Sequence, residues 1–136
     1  MMRFCLNGVA VVALAASFAA LAGQAKAQDF GGRWRTNQGD LRMHQDGGHV
    51  EGDYSLNDGQ LEGHTEGDRL EGVWWQSTSM RRCPDERRGS YYWGRFRFHL
   101  NEEGNAFRGR WSYCDVEPGE GVIGGEWTGE RERRRY

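Results

Sequence analysis

The sequence predicts an all-β fold, an eight-stranded antiparallel up-and-down barrel (a meander), behind a cleaved signal peptide. Three observations lead there. A strand formula of hydrophobe, glycine and aromatic, each two residues apart, recurs along the chain. Tight-turn dipeptides separate the copies, and helical periodicity is absent after residue 28.

The copies give the strands in order. Phe30-x-Gly32-x-Trp34 opens the series and Leu41-x-Met43-x-Gln45 follows as a plain alternation. Val50-x-Gly52-x-Tyr54, Leu61-x-Gly63-x-Thr65 and Leu70-x-Gly72-x-Trp74 come next. Tyr92-x-Gly94-x-Phe96 runs on through Phe98 and Leu100, then Phe107-x-Gly109-x-Trp111 and Ile123-x-Gly125-x-Trp127 complete the set. A spacing of two puts these residues on one face of each strand, and the residues between them are mostly charged. Asp46-Gly47, Asp58-Gly59, Gly67-Asp68 and Glu103-Gly104 are the expected hairpin tips, the first three with the chemistry of type I′ or II′ turns.

A meander with one apolar face leaves no edge if it closes on itself, which favours a barrel over a two-sheet sandwich. Glycines on the inner face let the strands coil and leave room for neighbouring rings, which explains the repeat without any ligand. Arg33, Arg42, Glu51, Asp53, Glu62, Arg97 and Arg110 fall on the outward face, where a lipid-embedded barrel would need an apolar band.

The ends indicate export. Arg3, the apolar run over 9–22 and Ala25-Lys26-Ala27 have the form of a secretory signal, so residues 1–27 are expected to be removed. Residues 28–130 then form one domain and 131–136 a basic tail, with no integral membrane segment in the mature protein. The expected location is the periplasm or the medium. Cys5 leaves with the signal, so Cys83 and Cys114 are expected to pair in an oxidising compartment.

Strand direction selects one end as the candidate site. In a meander the aromatic that closes the motif on odd strands faces one mouth, which predicts Trp34, Tyr54, Trp74 and Trp111 there and Trp127 at the opposite end. The two longest connections, roughly residues 77–90 and 114–121, join strands at that same mouth and carry the two cysteines. Long loops on a rigid scaffold commonly carry binding. Arg87 and Arg88, in the loop MRRCPDERRGSYYWG with Arg81 and Arg82, offer forked donors for anionic groups, unless Asp85 and Glu86 neutralise them. The aromatics either receive a small molecule or glycan or simply plug a narrow barrel.

Other groupings carry less. The expected register sets His44 beside His49 and aligns Asp40, Asp53, His64 and Glu71 on the outer wall, exposed and without a second shell for a metal. Arg95, Arg97, His99, Arg108 and Arg110 form a basic strand face. Trp75 and Trp93 face outward, marking either a dimer face or a wall beneath a loop. Export makes nucleic acid an unexpected partner. There is no nucleophile elbow, HExxH or phosphate loop, so the expectation is a binding module, not an enzyme, with no cofactor and no metal. The alternative is a protein-interaction module, an inhibitor or envelope-associated scaffold, using the cross-linked loop or the basic face.

Residues 32–54, GRWRTNQGDLRMHQDGGHVEGDY, resemble the opening hairpins of the avidin family, within the wider set of calycin-like barrels. Gly32-Arg33-Trp34, Gly39-Asp40 and Gly52-Asp53-Tyr54 carry the likeness. It implies an eight-stranded ligand-binding barrel, often oligomeric. Of that family's ligand-holding positions only Tyr54 transfers; Thr36, Asp40 and Leu56 stand where other side chains are expected. The stretch YWGRFRF…FRGRWSYCD resembles small exported bacterial proteins.

Overall fold

The computed structural model describes residues 29–133. The expected signal peptide, with Cys5, and residues 134–136 of the basic tail lie outside them. Eight strands follow in chain order: β1 (Gly32–Thr36), β2 (Gly39–Asp46), β3 (His49–Tyr54), β4 (Gly59–Glu66), β5 (Arg69–Gln76), β6 (Tyr92–Leu100), β7 (Ala106–Ser112) and β8 (Gly124–Arg131). Each pairs antiparallel with its sequence neighbours, and β8 returns to β1 to close an up-and-down barrel. The strand formula thus builds the wall.

Alternation decides which residues fill the barrel. Leu41, Met43, Val50, Leu61, Leu70, Phe96, Phe98, Leu100 and Phe107 are all buried. Phe98 and Phe107 stack at 4.2 Å between centroids, and Trp127 packs edge-on against both Phe98 and Phe96. Glycines make this possible by close approach. A methyl group at Gly94 would sit 2.6 Å from Trp74 Nε1, so the indole lies over a bare backbone. The charged residues between the core positions line the outside, where Arg97 bonds Glu71 at 2.6 Å.

One end is closed. The β4–β5 turn is Gly67-Asp68 as predicted, with Glu66 opposite Arg69. Gly67 and Gly47 both hold φ near 60° at the first turn position, the conformation that a two-residue hairpin with glycine there requires. The β6–β7 turn centres on Glu103-Gly104 as expected, with Leu100 opposite Phe107. Phe30, fully buried ahead of β1, plugs this end, and its backbone amide donates a 2.8 Å hydrogen bond to Gln45 Oε1. Arg131 seals the seam. Its guanidinium lies 4.2 Å over the Trp34 ring and donates to the carbonyls of Asp29, Gly31 and Gly104.

Four expectations are corrected. The β2–β3 turn is Gly47-Gly48, not Asp46-Gly47, so Asp46 pairs with His49 and His44 faces Glu51. The β3–β4 connection is longer than Asp58-Gly59, a turn of 3-10 helix over Leu56–Asp58 with Asn57 and Asp58 at positive φ. The outer row of Asp40, Asp53, His64 and Glu71 does not form. Asp40 stands opposite Arg35 and Asp53 between Arg42 and Gln60, while His64 lies between His49 and Glu71. Ile123 precedes β8 and is exposed, so only Gly125 and Trp127 of the last copy face inward. In addition, β8 runs through Arg131, one residue into the expected tail.

Candidate functional site at the aromatic mouth

The open end is the one that the strand directions predicted. The β1–β2, β3–β4, β5–β6 and β7–β8 connections gather there, and the last two are the long ones. Cys83 and Cys114 form the expected disulfide between them, with Cα atoms 5.5 Å apart. This pairing fits an oxidising compartment.

Neither long loop covers the mouth beyond its rim. After Ser79 and Met80 the β5–β6 loop turns down the outer wall. Cys83 N bonds Tyr91 O at 2.7 Å, and Trp93 Nε1 donates to Asp85 O at 2.8 Å. Trp93 is therefore buried beneath the loop, which resolves the outward pair Trp75 and Trp93 in favour of a covered wall. The β7–β8 loop does the same through Asp115 and Glu117, which bond Arg95 and, for Glu117, also Arg97 at 3.2 Å. These acids and Glu71 pair with Arg95 and Arg97, two of the five residues of the expected basic face.

Between the loops lies a cup of about 380 Å³. Tyr54, Trp74, Trp111, Tyr113 and Trp127 supply its rings, and Gln38, Asn57, Gln76, Thr78 and Ser79 supply its polar groups. Leu56 and Met80, both exposed, edge the rim. The barrel is thus filled over its closed half and hollow at the mouth.

The six predicted ligand residues divide three and three. Tyr54, Trp74 and Trp111 line the cup as expected. Trp34 does not. Its ring leans back to the closed end, where Nε1 donates to Phe30 O at 2.8 Å and the ring meets Phe107 edge-on. Trp127 replaces it, leaning mouthward against Tyr54 at 4.9 Å. Arg87 and Arg88 also lie elsewhere, since the loop carries them down the wall. Arg87 stacks on Trp93 at 5.0 Å, while Arg88 stacks on Trp75 and pairs with Glu62.

Compared with family models, curated proteins and solved structures, this chain shows no significant match. The avidin-type resemblance is therefore borne out only at the level of the closed eight-stranded antiparallel barrel. The site has to be read from its own chemistry.

That chemistry separates into two halves. On the β7 side, Trp74, Trp111 and Tyr113 interlock edge-to-face at 5.0 to 6.1 Å, and Trp74 Nε1 donates to Ser112 O at 3.1 Å. Facing them, Gln76 Nε2 donates to Tyr54 Oη at 2.7 Å, and Asn57 stands 3.5 Å from the Gln76 oxygen. Burial pushes the Tyr54 hydroxyl well above the ordinary phenol range, and the Gln76 hydrogen bond opposes this. Tyr54 therefore stays a neutral donor and acceptor. Gln76 was missed in the sequence, although it continues the inner-face series Leu70, Gly72, Trp74. Tyr113 continues that of Gly109 and Trp111 in the same way.

A broader depression of about 990 Å³ lies at the closed end, around Gly31, Arg33, Glu130 and Arg131. Its central cation, Arg131, is already committed to three carbonyls and the Trp34 face. No group of three or more metal-ligating side chains occurs among the described residues.

Proposed function

We propose that this protein is a binding module that takes a small molecule or glycan into the aromatic mouth of the barrel, as its likeness to calycin-like barrels would imply. The observation that carries the reading is the cup itself. It is open to solvent, lined by five rings and a set of neutral polar side chains, and left uncovered by the two long loops. A ring-lined concavity with a few convergent polar groups has the form of a small-ligand pocket, and 380 Å³ is at the small end of that range. The proposed setting is the periplasm or the medium, in keeping with the expected signal sequence and the disulfide. A catalytic role is not part of the proposal.

Titrating intrinsic tryptophan fluorescence against a library of metabolites and glycans tests it. A saturable change is expected for at least one compound, and it should be weakened by Trp111→Ala and unaffected by Arg87→Ala. Silence across the library would count against the reading.

A second reading rests on the outer wall. Arg82 and Arg87 stack on Tyr91 and Trp93 along a loop fixed by the disulfide, an exposed cationic strip suited to a protein partner. A stoichiometric partner from envelope extract that is lost on Arg87→Ala, with the mouth inert, would favour it.

A further inference from the structure

We infer that the mouth is built for an uncharged one- or two-ring compound that presents a hydrogen-bond donor beside an acceptor along one edge, an edge recognised by the Gln76–Tyr54 pair. The inference rests on the reading of the mouth as a ligand site and narrows it.

Charge is the first constraint. Apart from the two tyrosines, no residue lining the cup is ionisable. Arg81 stacks on the Tyr113 ring at 5.5 Å but is not among the lining residues. A formal charge carried into the cup would lose its hydration without gaining a counter-charge, so neutral compounds are favoured.

The second constraint is how the hydrogen-bonding groups are spent. Three indoles line the cup, and none offers its N–H. Trp74 Nε1 is taken by Ser112 O and Trp127 Nε1 by Thr36 Oγ1 at 3.3 Å. Trp111 Nε1 is shielded from solvent against Gly125 and has no partner among the described residues. The indoles therefore present hydrocarbon. A sugar has hydroxyls around its whole perimeter, and those on this side would go unpaired at a cost. A flat ring instead meets the aromatic half with its own carbon surface.

The polar half supplies the third constraint. Gln76 is only 8% exposed and Tyr54 3%, yet both line the cup. Their mutual bond consumes one donor and one acceptor, and Asn57 Nδ2, at 3.5 Å, takes one lone pair of the Gln76 oxygen. A carboxamide and a phenol together hold more of each, whichever way the amide is turned. What remains is a fixed, desolvated donor–acceptor pair with Asn57 beside it, complementary to a lactam- or amide-type edge.

Calorimetry on the intact, disulfide-linked chain tests this with four probes. They are 2-quinolone, its N-methyl derivative, which lacks the donor, quinoline-2-carboxylate, which is charged, and a neutral oligosaccharide. Binding of 2-quinolone is expected, with the N-methyl compound weaker by about tenfold, the value of one buried hydrogen bond, and the carboxylate weaker by at least as much because its charge is buried without a counter-charge. Gln76→Leu should abolish the preference for 2-quinolone over its N-methyl derivative while retaining binding of the latter. If that variant does not fold, the comparison of the two quinolones on the unmodified chain decides.

Equal binding of the two quinolones overturns the inference, as does a preference that survives Gln76→Leu or tighter binding of the carboxylate or oligosaccharide. In each of these cases the mouth remains a ligand site. If no probe binds, the inference fails on its own; if the wider library is silent as well, the reading of the mouth fails with it.

Discussion

Removing the disulfide by Cys83→Ala and Cys114→Ala should separate stability from binding. The bridge closes a loop of sequence separation 31, which by loop-closure entropy corresponds to about 3.7 kcal/mol of stability. That is a large share of the ~5–15 kcal/mol of a typical domain. At roughly 4–8 °C per kcal/mol for a chain of this size, the melting temperature should fall by about 15–30 °C. The structure adds a second expectation. Both cross-linked loops are fastened to the outer wall, by Asp85 O on Trp93 and by Glu117 on Arg97, and do not lie over the cup. Well below its melting temperature the bridge-free chain should therefore bind a mouth ligand within about threefold of the parent, a change of only some 0.6 kcal/mol. Thermal unfolding followed by circular dichroism, with calorimetric titration at low temperature, measures both. A stability loss below ~1 kcal/mol would refute the bridge as the main clamp, since a bridge of this span should contribute several times that. Loss of binding in a folded variant would refute the independence of the cup from the cross-link.

Three further outcomes are expected. Tyr54→Phe leaves the Gln76 amide without its buried partner and should cost about 1–3 kcal/mol in urea unfolding near neutral pH. Because burial raises the Tyr54 pKa in the folded state, its contribution is complete below the ordinary phenol pKa and is lost as pH rises past it. The gap between parent and Tyr54→Phe should accordingly narrow above about pH 10. Arg131→Met removes three hydrogen bonds to carbonyls and the stack on Trp34, and should destabilise by about 2–3 kcal/mol without altering binding at the far mouth. Gly125→Ala places a methyl group 2.9 Å from Trp111 Nε1 and 3.1 Å from its Cε2. The indole should be driven into the cup, weakening ligand binding about tenfold with a melting temperature changed by only a few degrees.

Much of the barrel was legible because period-two alternation is a local property. The series Leu70, Gly72, Trp74 assigns its face without reference to any neighbour, and closure follows from the absence of an edge. The cysteines were legible because the expected export leaves two in an oxidising compartment and strand direction puts both at one end. What alternation does not encode is how a ring tilts along the barrel axis. Trp34 and Trp127 both face inward as expected. Trp34 leans to the closed end because Phe30 O takes its N–H and Arg131 covers its face. Trp127 leans mouthward because Thr36 takes its N–H. Nor does alternation encode a loop's path. Arg87 and Arg88 left the mouth because Trp93 and Trp75 offered aromatic faces on the wall below. The β2–β3 register slipped because Asp46-Gly47 and Gly47-Gly48 are both acceptable turns. Gln76 was readable from its phase on β5, but a single polar residue at a strand end gives no signal until its partner Tyr54 is known.

The six tryptophans offer the most direct test of the account. Each has one indole N–H resonance, and the structure sorts them into Trp74, Trp111 and Trp127 at the cup and Trp34, Trp75 and Trp93 away from it. Two-dimensional NMR during titration with a mouth ligand should shift the first three and leave the other three in place. Movement of Trp75 and Trp93, with Trp74 and Trp111 unmoved, would place binding on the outer wall and contradict the account.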